Sequence, residues 1–320
     1  MAEVARSPRG SVVLLAGGVG GAKLAHGLQA ELGSELAVVV NTGDDVDRHG
    51  LAIWPDHDTV MYTLAGLDDR EHGWGLRDES WAVSEQLDRL GEDAWFSLGD
   101  RDIATHLVRT ERLRNGARPT LVARHLQAAL GVAATILPMT DDRVRTEVRS
   151  DGGWLEFQEY FVHRHQDPTV HEVRFLGIED ARPTPEVEEA IAVAGEIVIG
   201  PSNPIVSIGP ILGLPGMRDL LSTARRRGAR IVAVSGIVGG RALKGPADRM
   251  LTSLGMESTA LGVARIYAGL VDGFVLDRVD IEHEAAIRDL GLDTLVVDTV
   301  MTDDAARARL ARDVLGFAQA

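Results

Sequence analysis

Four aspartates in two short turns are the residues of this chain best suited to grip a hard cation. Asp44 and Asp45 close Asn41-Thr42-Gly43-Asp44-Asp45, and Asp56 and Asp58 lie in Trp54-Pro55-Asp56-His57-Asp58-Thr59. Carboxylate oxygens are the ligands Mg2+ prefers, and that ion keeps several waters and bridges to substrate phosphates. A seat for such phosphates lies upstream, in Gly17-Gly18-Val19-Gly20-Gly21-Ala22-Lys23. The apolar run 12–16 reads as a buried parallel strand, and Leu24, Leu28 and Leu32 after the glycines fall at helical spacing. Strand, glycine turn and helix together offer backbone amides and the positive end of the helix dipole to an anion. A dinucleotide fingerprint needs glycine where Lys23 stands, and a P-loop needs Gly-Lys followed by Ser or Thr. The turn therefore points to a phosphate without identifying NAD or ATP. The plain alternative is a tight turn that binds nothing.

These groups act together only if a sheet edge gathers them. The run 36–40 reads as a second strand whose carboxyl end delivers Asp44 and Asp45, where open α/β sheets hold ligands. Asp58 or Thr59 is expected to cap the helix through Val60 and Leu64. Apolar intervals predict helices over 81–90, 103–114 and 121–130. Asp102 reads as the cap of the second of these, which leaves Asp100 and Arg101 for a ligand. His106 and His125 read as ordinary helix histidines, and the strand alternation around His163, His165 and His171 fixes no metal geometry. A strand over 133–137 precedes a hairpin, 146–148 with 155–162, turning at Asp151-Gly152-Gly153, and then a strand over 170–176.

The α/β rhythm resumes with a helix over 186–194, a strand over 197–199 and the rigid polar loop Gly200-Pro201-Ser202-Asn203-Pro204, expected to touch ligand. A helix over 217–227 and a strand over 231–234 lead to a glycine-bearing turn and Lys244-Gly245-Pro246; strands over 274–276 and 294–297 close the sheet. The expected fold class is α/β, a Rossmann-like mostly parallel sheet flanked by helices, with an inserted helical and β-hairpin region. Residues 11–320 read as one domain. Its nucleotide-binding core is 11–65 and 186–320, its inserted region is 66–185, and residues 1–10 form a loose leader.

Composition narrows the class further. The 320 residues are 45% hydrophobic and 25% charged, enough to bury a large core. No apolar run reaches the length of a membrane span, and the first ten residues lack an apolar signal core. Cysteine is absent, which excludes disulfides, thiolate zinc and a cysteine nucleophile. A net charge of −15 argues against broad nucleic-acid binding, and a cytoplasmic protein is the simplest expectation. An anion seat in so acidic a chain needs local positive charge. Of 33 basic residues only Lys23 and Lys244 are lysines, and both lie in glycine-bearing turns after apolar strands.

Taken in order, these landmarks resemble the CofD family, the 2-phospho-L-lactate transferases, whose actinobacterial type is called phosphoenolpyruvate transferase. The resemblance is carried by 17–23, 40–45, Pro55-Asp56-His57-Asp58-Thr59-Val60-Met61-Tyr62, 98–102 with Ala104-Thr105-His106, Leu137-Pro138-Met139-Thr140-Asp141-Asp142, Phe157-Gln158-Glu159, 200–209, Leu214-Pro215-Gly216-Met217-Arg218 and Glu257-Ser258. It implies a step in making the deazaflavin coenzyme F-420. The ribityl hydroxyl of 7,8-didemethyl-8-hydroxy-5-deazariboflavin attacks the distal phosphorus of a guanosine diphosphate-linked lactyl or enolpyruvyl donor, and GMP leaves. The family is magnesium-dependent and typically a homodimer.

On this reading Gly17, Gly18, Gly20, Gly21, Lys23, Asn41, Ser202, Asn203 and Lys244 contact nucleotide and phosphates. Asp44, Asp45, Asp56 and Asp58 supply the metal site, with Asp45 and Asp58 catalytic, and Asp58 faces the acceptor together with Asp100 and Arg101 of the inserted, acceptor-binding region. The chain departs from the family at Asp47, usually aromatic, at His57, usually aliphatic, and at Gly236, commonly proline. The competing reading is a regulatory protein that binds sugar nucleotides and transfers nothing.

Overall fold

Unbroken runs of valine, isoleucine and leucine make strands buried on both faces, the pattern of a parallel sheet. The computed structural model describes residues 11–319 apart from 72 and 94, so the expected leader lies outside the described residues. β1 (Ser11–Ala16) passes through α1 (Val19–Leu32) to β2 (Leu36–Val40). A short hairpin, β3 (Val46–Arg48) and β4 (Leu51–Ile53), precedes α2 (Pro55–Leu64), α3 (Ala82–Arg89), α4 (Asp100–Arg114) and α5 (Pro119–Ala129). After β5 (Thr135–Pro138) come β6 (Arg145–Ser150), β7 (Gly153–Glu156) and β8 (Glu172–Leu176), which form their own antiparallel sheet with β6 central.

The second half runs α6 (Pro185–Val193), β9 (Ala194–Ile199), α7 (Ile208–Gly213), α8 (Met217–Arg226) and β10 (Arg230–Val234). A small hairpin, β11 (Ile237–Val238) and β12 (Arg241–Ala242), leads to α9 (Ala247–Ser253) and α10 (Ala260–Tyr267). β13 (Gly273–Asp277), α11 (Glu284–Arg288), β14 (Asp293–Val297) and α12 (Asp304–Ala318) complete it.

The main sheet has the order β14-β13-β10-β9-β1-β2-β5, and every pair in it is parallel. The expected α/β class, a mostly parallel sheet flanked by helices, is what the chain adopts. Val12, Leu14 and Ala16 pack toward α1, α2, α5 and α12, while Val13 and Leu15 pack toward α6, α8 and α10. The chain winds outward from β1 in one direction through β2 and β5, then in the other through β9, β10, β13 and β14. Its direction switches between β1 and β9, and the crevice above their carboxyl ends is where such sheets bind ligands.

Four local expectations need correction. Residues 66–185 are not wholly an insertion, because β5 joins the edge of the main sheet beside β2. The strand expected over 155–162 stops at Glu156, and Glu159–His163 forms a π-helical turn instead. The physical reason is spacing: Phe157 and Tyr160, three residues apart, both enter a small core with Val148, Val170, Val206 and Met250. α2 begins at Pro55 rather than at an Asp58 or Thr59 cap, since proline at the first position presets the helical φ. α4 begins at Asp100, so Asp102 lies inside it and caps nothing; Glu79 receives the amides of Arg101 and Asp102 instead. No helix among the described residues is long and apolar enough to cross a membrane.

Candidate functional site

Loops from the ends of β1, β2 and β9 and the start of α2 meet at the switch point. The amide of Gly17 donates to Ser202 Oγ at 3.0 Å, which ties the glycine turn to the loop after β9. Asn41 is the central knot: its Oδ1 accepts from Gly43 N at 2.8 Å, and its Nδ2 donates to Asp56 Oδ2 at 3.0 Å and to the Val206 carbonyl at 3.3 Å. The turn's four glycines, none in the left-handed region, are required for closeness rather than for φ. A Cβ at Gly20 would lie 2.2 Å from the Pro201 carbonyl oxygen, and one at Gly21 would lie 2.7 Å from Ser202 Oγ. At Gly17 it would meet Ser207 Oγ at 2.4 Å, and at Gly18 Asp56 Oδ1 at 2.8 Å. Asn203 serves this loop through its own backbone, accepting from Ile205 N at 2.9 Å and Val206 N at 3.3 Å.

Asp56 therefore sits against the glycine turn, hydrogen-bonded to the Gly18 amide. Burial raises its carboxyl to about 6 despite the bonds from Asn41 and Gly18. Asp44 and Asp45 are buried with it. Burial, with Asp56 beside it, holds Asp44 well above the usual carboxylate range. Asp45 is raised likewise by burial, against the pull of Arg145 and Arg109. One oxygen each of Asp44 and Asp45 has no hydrogen-bond partner. Asp44, Asp45 and Asp56 are thus three buried acids beside the glycine turn whose charged forms are disfavoured, although among the described residues the grouping with ligand atoms close enough together for a metal ion is Asp58, Asp102 and His106.

The burial of these acids has a pH signature. Carboxyls whose folded pKa is raised stabilise the fold fully below their unfolded value, and the contribution is lost as pH climbs through the folded value. The metal-free protein is therefore expected to lose thermal stability as pH rises from about 4 through the Asp56 value of about 6. Mg2+ should raise the melting midpoint more at pH 8 than at pH 5, where protons compete for the same oxygens. Thermal melts at the two pH values with and without Mg2+ check this; an equal or larger shift at pH 5 would contradict it.

Asp58 lies in a different environment. Burial would raise it, but the Arg109 guanidinium bonded to it, with His57 and His106 nearby, overrides burial and holds it well below the usual range. His57 is buried and burial lowers its pKa, so a neutral imidazole packs edge-on to Trp54 at 5.4 Å where relatives are expected to carry an aliphatic chain. Asp47, the other departure, is exposed and pairs with Arg143 at 3.1 Å. Asp58, Asp102 and His106 bring one ligand atom each within 4.8 Å of one another, a grouping that can hold a metal ion. Arg109 counts against an ion there. It donates to His106 Nδ1 at 2.9 Å, which leaves the ring proton on Nε2, so neither ring nitrogen keeps a free lone pair for a metal.

His106 is thus a buried core histidine, one of the two ordinary roles expected for it; its link to Asp102, and Arg109 itself, were not read from sequence. The available signal was their spacing: 102, 106 and 109 fall on one face of α4. Asp100 is taken up locally, accepting from Ser80 Oγ at 2.6 Å and from the amides of Ala82 and Val83 at the start of α3. Arg101 is exposed, with its guanidinium on the Arg77 carbonyl at 3.4 Å. The two lysines approach one another. Burial lowers the Lys23 pKa, and Arg307 and Lys244 lower it further, while its Nζ donates to the Met301 carbonyl at 3.2 Å.

Residues 12–313 match the family model described as 2-phospho-L-lactate transferase CofD. A phosphoenolpyruvate transferase of Streptomyces griseus is 44% identical over 315 residues, covering 96% of this chain and 98% of that one. A phosphoenolpyruvate transferase of Kitasatospora aureofaciens is 42% identical over 316 residues, with the same coverage. A 2-phospho-L-lactate transferase of Methanosarcina acetivorans is 39% identical over 307 residues, covering 96% and 98%. The crystal structure of a UPF0052-family protein from Bacillus halodurans aligns with a TM-score of 0.64 at 17% identity, covering 97% of this chain and 100% of that one. At that identity the likeness is one of fold.

Proposed function

The chain belongs to the CofD family of 2-phospho-L-lactate transferases, and from that premise we propose that it moves a phospho-hydroxyacid group from a guanosine diphosphate-linked donor to the ribityl hydroxyl of a deazaflavin. The observation that carries this reading is Asp56 against the glycine turn with the buried carboxyls of Asp44 and Asp45 near it, since acids so placed would let a cation meet phosphates at that turn. In the step, the hydroxyl oxygen bonds to the distal phosphorus and the bond from that phosphorus to the bridging oxygen breaks. GMP leaves with the bridging oxygen, the hydroxyl proton is lost to solvent, and Asp58 orients the hydroxyl by accepting its hydrogen bond. Phosphoryl transfer of this kind depends on alignment and charge neutralisation.

Asp44, Asp45 and Asp56 would hold the family's Mg2+, which when bound supplies positive charge across the phosphates. Asp58 is already neutralised by Arg109, which suits it to face the acceptor rather than the metal. Gly17 to Gly21 and Ser202 would give the donor a close-fitting backbone wall, and Lys23 and Lys244, which lie near one another, would supply cationic charge to its phosphates. A cytoplasmic homodimer accords with this reading. Mass analysis of products from purified protein, Mg2+, the deazaflavin and each synthetic donor tests it. The expected result is F-420-type product and GMP with one of the lactyl, enolpyruvyl or glyceryl donors. Nucleotide binding with no product from any donor would favour the regulatory alternative.

Lys23→Ala separates the two substrates. Loss of one charge-assisted phosphate contact should raise the KM for the guanylylated donor by about tenfold and leave the acceptor constant nearly unchanged. An equal rise in both constants would remove Lys23 from the donor seat.

A further inference from the structure

Asp58 is held from behind by groups that the transfer step does not use. Arg109 on α4 is fully buried, and its guanidinium makes four contacts at once. It bonds to Asp58, donates to the Ala52 carbonyl at 3.2 Å and to His106 Nδ1 at 2.9 Å, and lies over the Trp54 ring at 4.4 Å. Arginine can only donate, so Nδ1 accepts and the imidazole proton sits on Nε2, facing Asp102 Oδ2 at 3.3 Å. The other Asp102 oxygen accepts from the Tyr62 hydroxyl at 2.6 Å. Tyr62 lies one turn beyond Asp58 on α2, and Asp102, His106 and Arg109 follow one another along α4. The contacts run from α2 to α4 and back to α2, a ring of five side chains that α2 itself closes between Tyr62 and Asp58 and in which His106 Nε2 approaches Asp102 without a hydrogen bond.

We infer that this ring makes Arg109 a positioning residue for the transfer: it grips Oδ1 of Asp58 and so fixes the orientation of the carboxylate, whose buried Oδ2 has no hydrogen-bond partner and lies 3.8 Å from His106 Nδ1. The inference rests on the reading above in that Asp58 faces the acceptor. Three features distinguish this arrangement from plain packing. The grip comes from a different element than the acid it holds. It fixes one oxygen and spares the other. The guanidinium plane is set independently by Trp54 and the Ala52 carbonyl, so the carboxylate follows the arginine.

The test is a double-mutant cycle on kcat, on both KM values and on the thermal midpoint, with Arg109→Met made in the wild-type and Asp58→Asn backgrounds. Arg109→Met should lower kcat about 100-fold with the donor KM within about twofold, and should lower it little further once Asp58 is asparagine. Arg109→Lys should restore only part of the rate, because an ammonium cannot keep the carboxylate, carbonyl and imidazole contacts together. If Arg109→Met does not fold, Arg109→Lys carries the same cycle, since it keeps the charge and loses the fork that meets the carboxylate and the carbonyl together. Multiplicative losses in the two backgrounds would overturn the inference while leaving the functional reading intact, as would a lowered midpoint with unchanged kcat per folded molecule. Wild-type protein that forms no product with any donor would overturn both.

Discussion

Asp45→Asn is expected to lower the transfer rate by about 1,000-fold while making the metal-free protein more stable. The two effects have one cause. Asp45 is buried among Asp44, Asp56 and Asp58, and burial raises its carboxyl well above the usual range. Asparagine keeps the shape and removes the charge, so the metal-free fold is relieved of a desolvated carboxylate. The same change removes a ligand oxygen and a negative charge from the cation site, so Mg2+ should bind more weakly and shift the midpoint less. Steady-state rates and paired melts check both halves. Wild-type turnover would take Asp45 out of the site, and a lower metal-free midpoint would contradict the account of its burial.

Asp58→Asn should also lower the rate, by about 100-fold or more, but its effect on stability has the opposite sign. Arg109 is fully buried against Asp58, and removing the carboxylate leaves a guanidinium uncompensated in the interior. Breaking one side of such a pair costs about 3 kcal/mol. Chemical denaturation of the two asparagine variants, measured without metal, therefore makes a sharp comparison between acids of the same cleft. Asp45→Asn gains stability and Asp58→Asn loses it. Equal shifts in the same direction would mean that Arg109 does not divide the cluster as described.

Much of this was legible in the residues. The apolar runs that became β1 and β2 have strong unbroken patterns, and glycines followed by leucines at helical spacing mark the start of α1. The turns holding Asp44, Asp45 and Asp56 could be placed because each follows a recognisable element. What the glycines do was not legible. Their spacing suggests a phosphate, whereas the nearest atoms from elsewhere in the chain belong to Pro201, Ser202 and Ser207 beyond β9 and to Asp56 on α2. Long-range contacts of that kind leave no local pattern.

The ring behind Asp58 was missed for a related reason. Asp102 has the type and place of a helix cap, and only the position of Glu79 over the first amides of α4 frees it for Tyr62 and His106. His106 and Arg109 look like members of a solvated helix face until α2 is packed against them. The turn at 159–163 shows the same limit, since tertiary burial of Phe157 and Tyr160 overrode a pattern that alternates like a strand.

The central claim is that a divalent cation held by Asp44, Asp45 and Asp56 meets the donor's phosphates over the glycine turn. Its most direct measurement is anomalous scattering from Mn2+ in crystals grown with GMP. The account predicts a manganese peak among those three carboxylates and the GMP phosphate within reach of residues 17–23. A peak between Asp58, Asp102 and His106 with Arg109 displaced, or a phosphate bound away from the glycine turn, would contradict it.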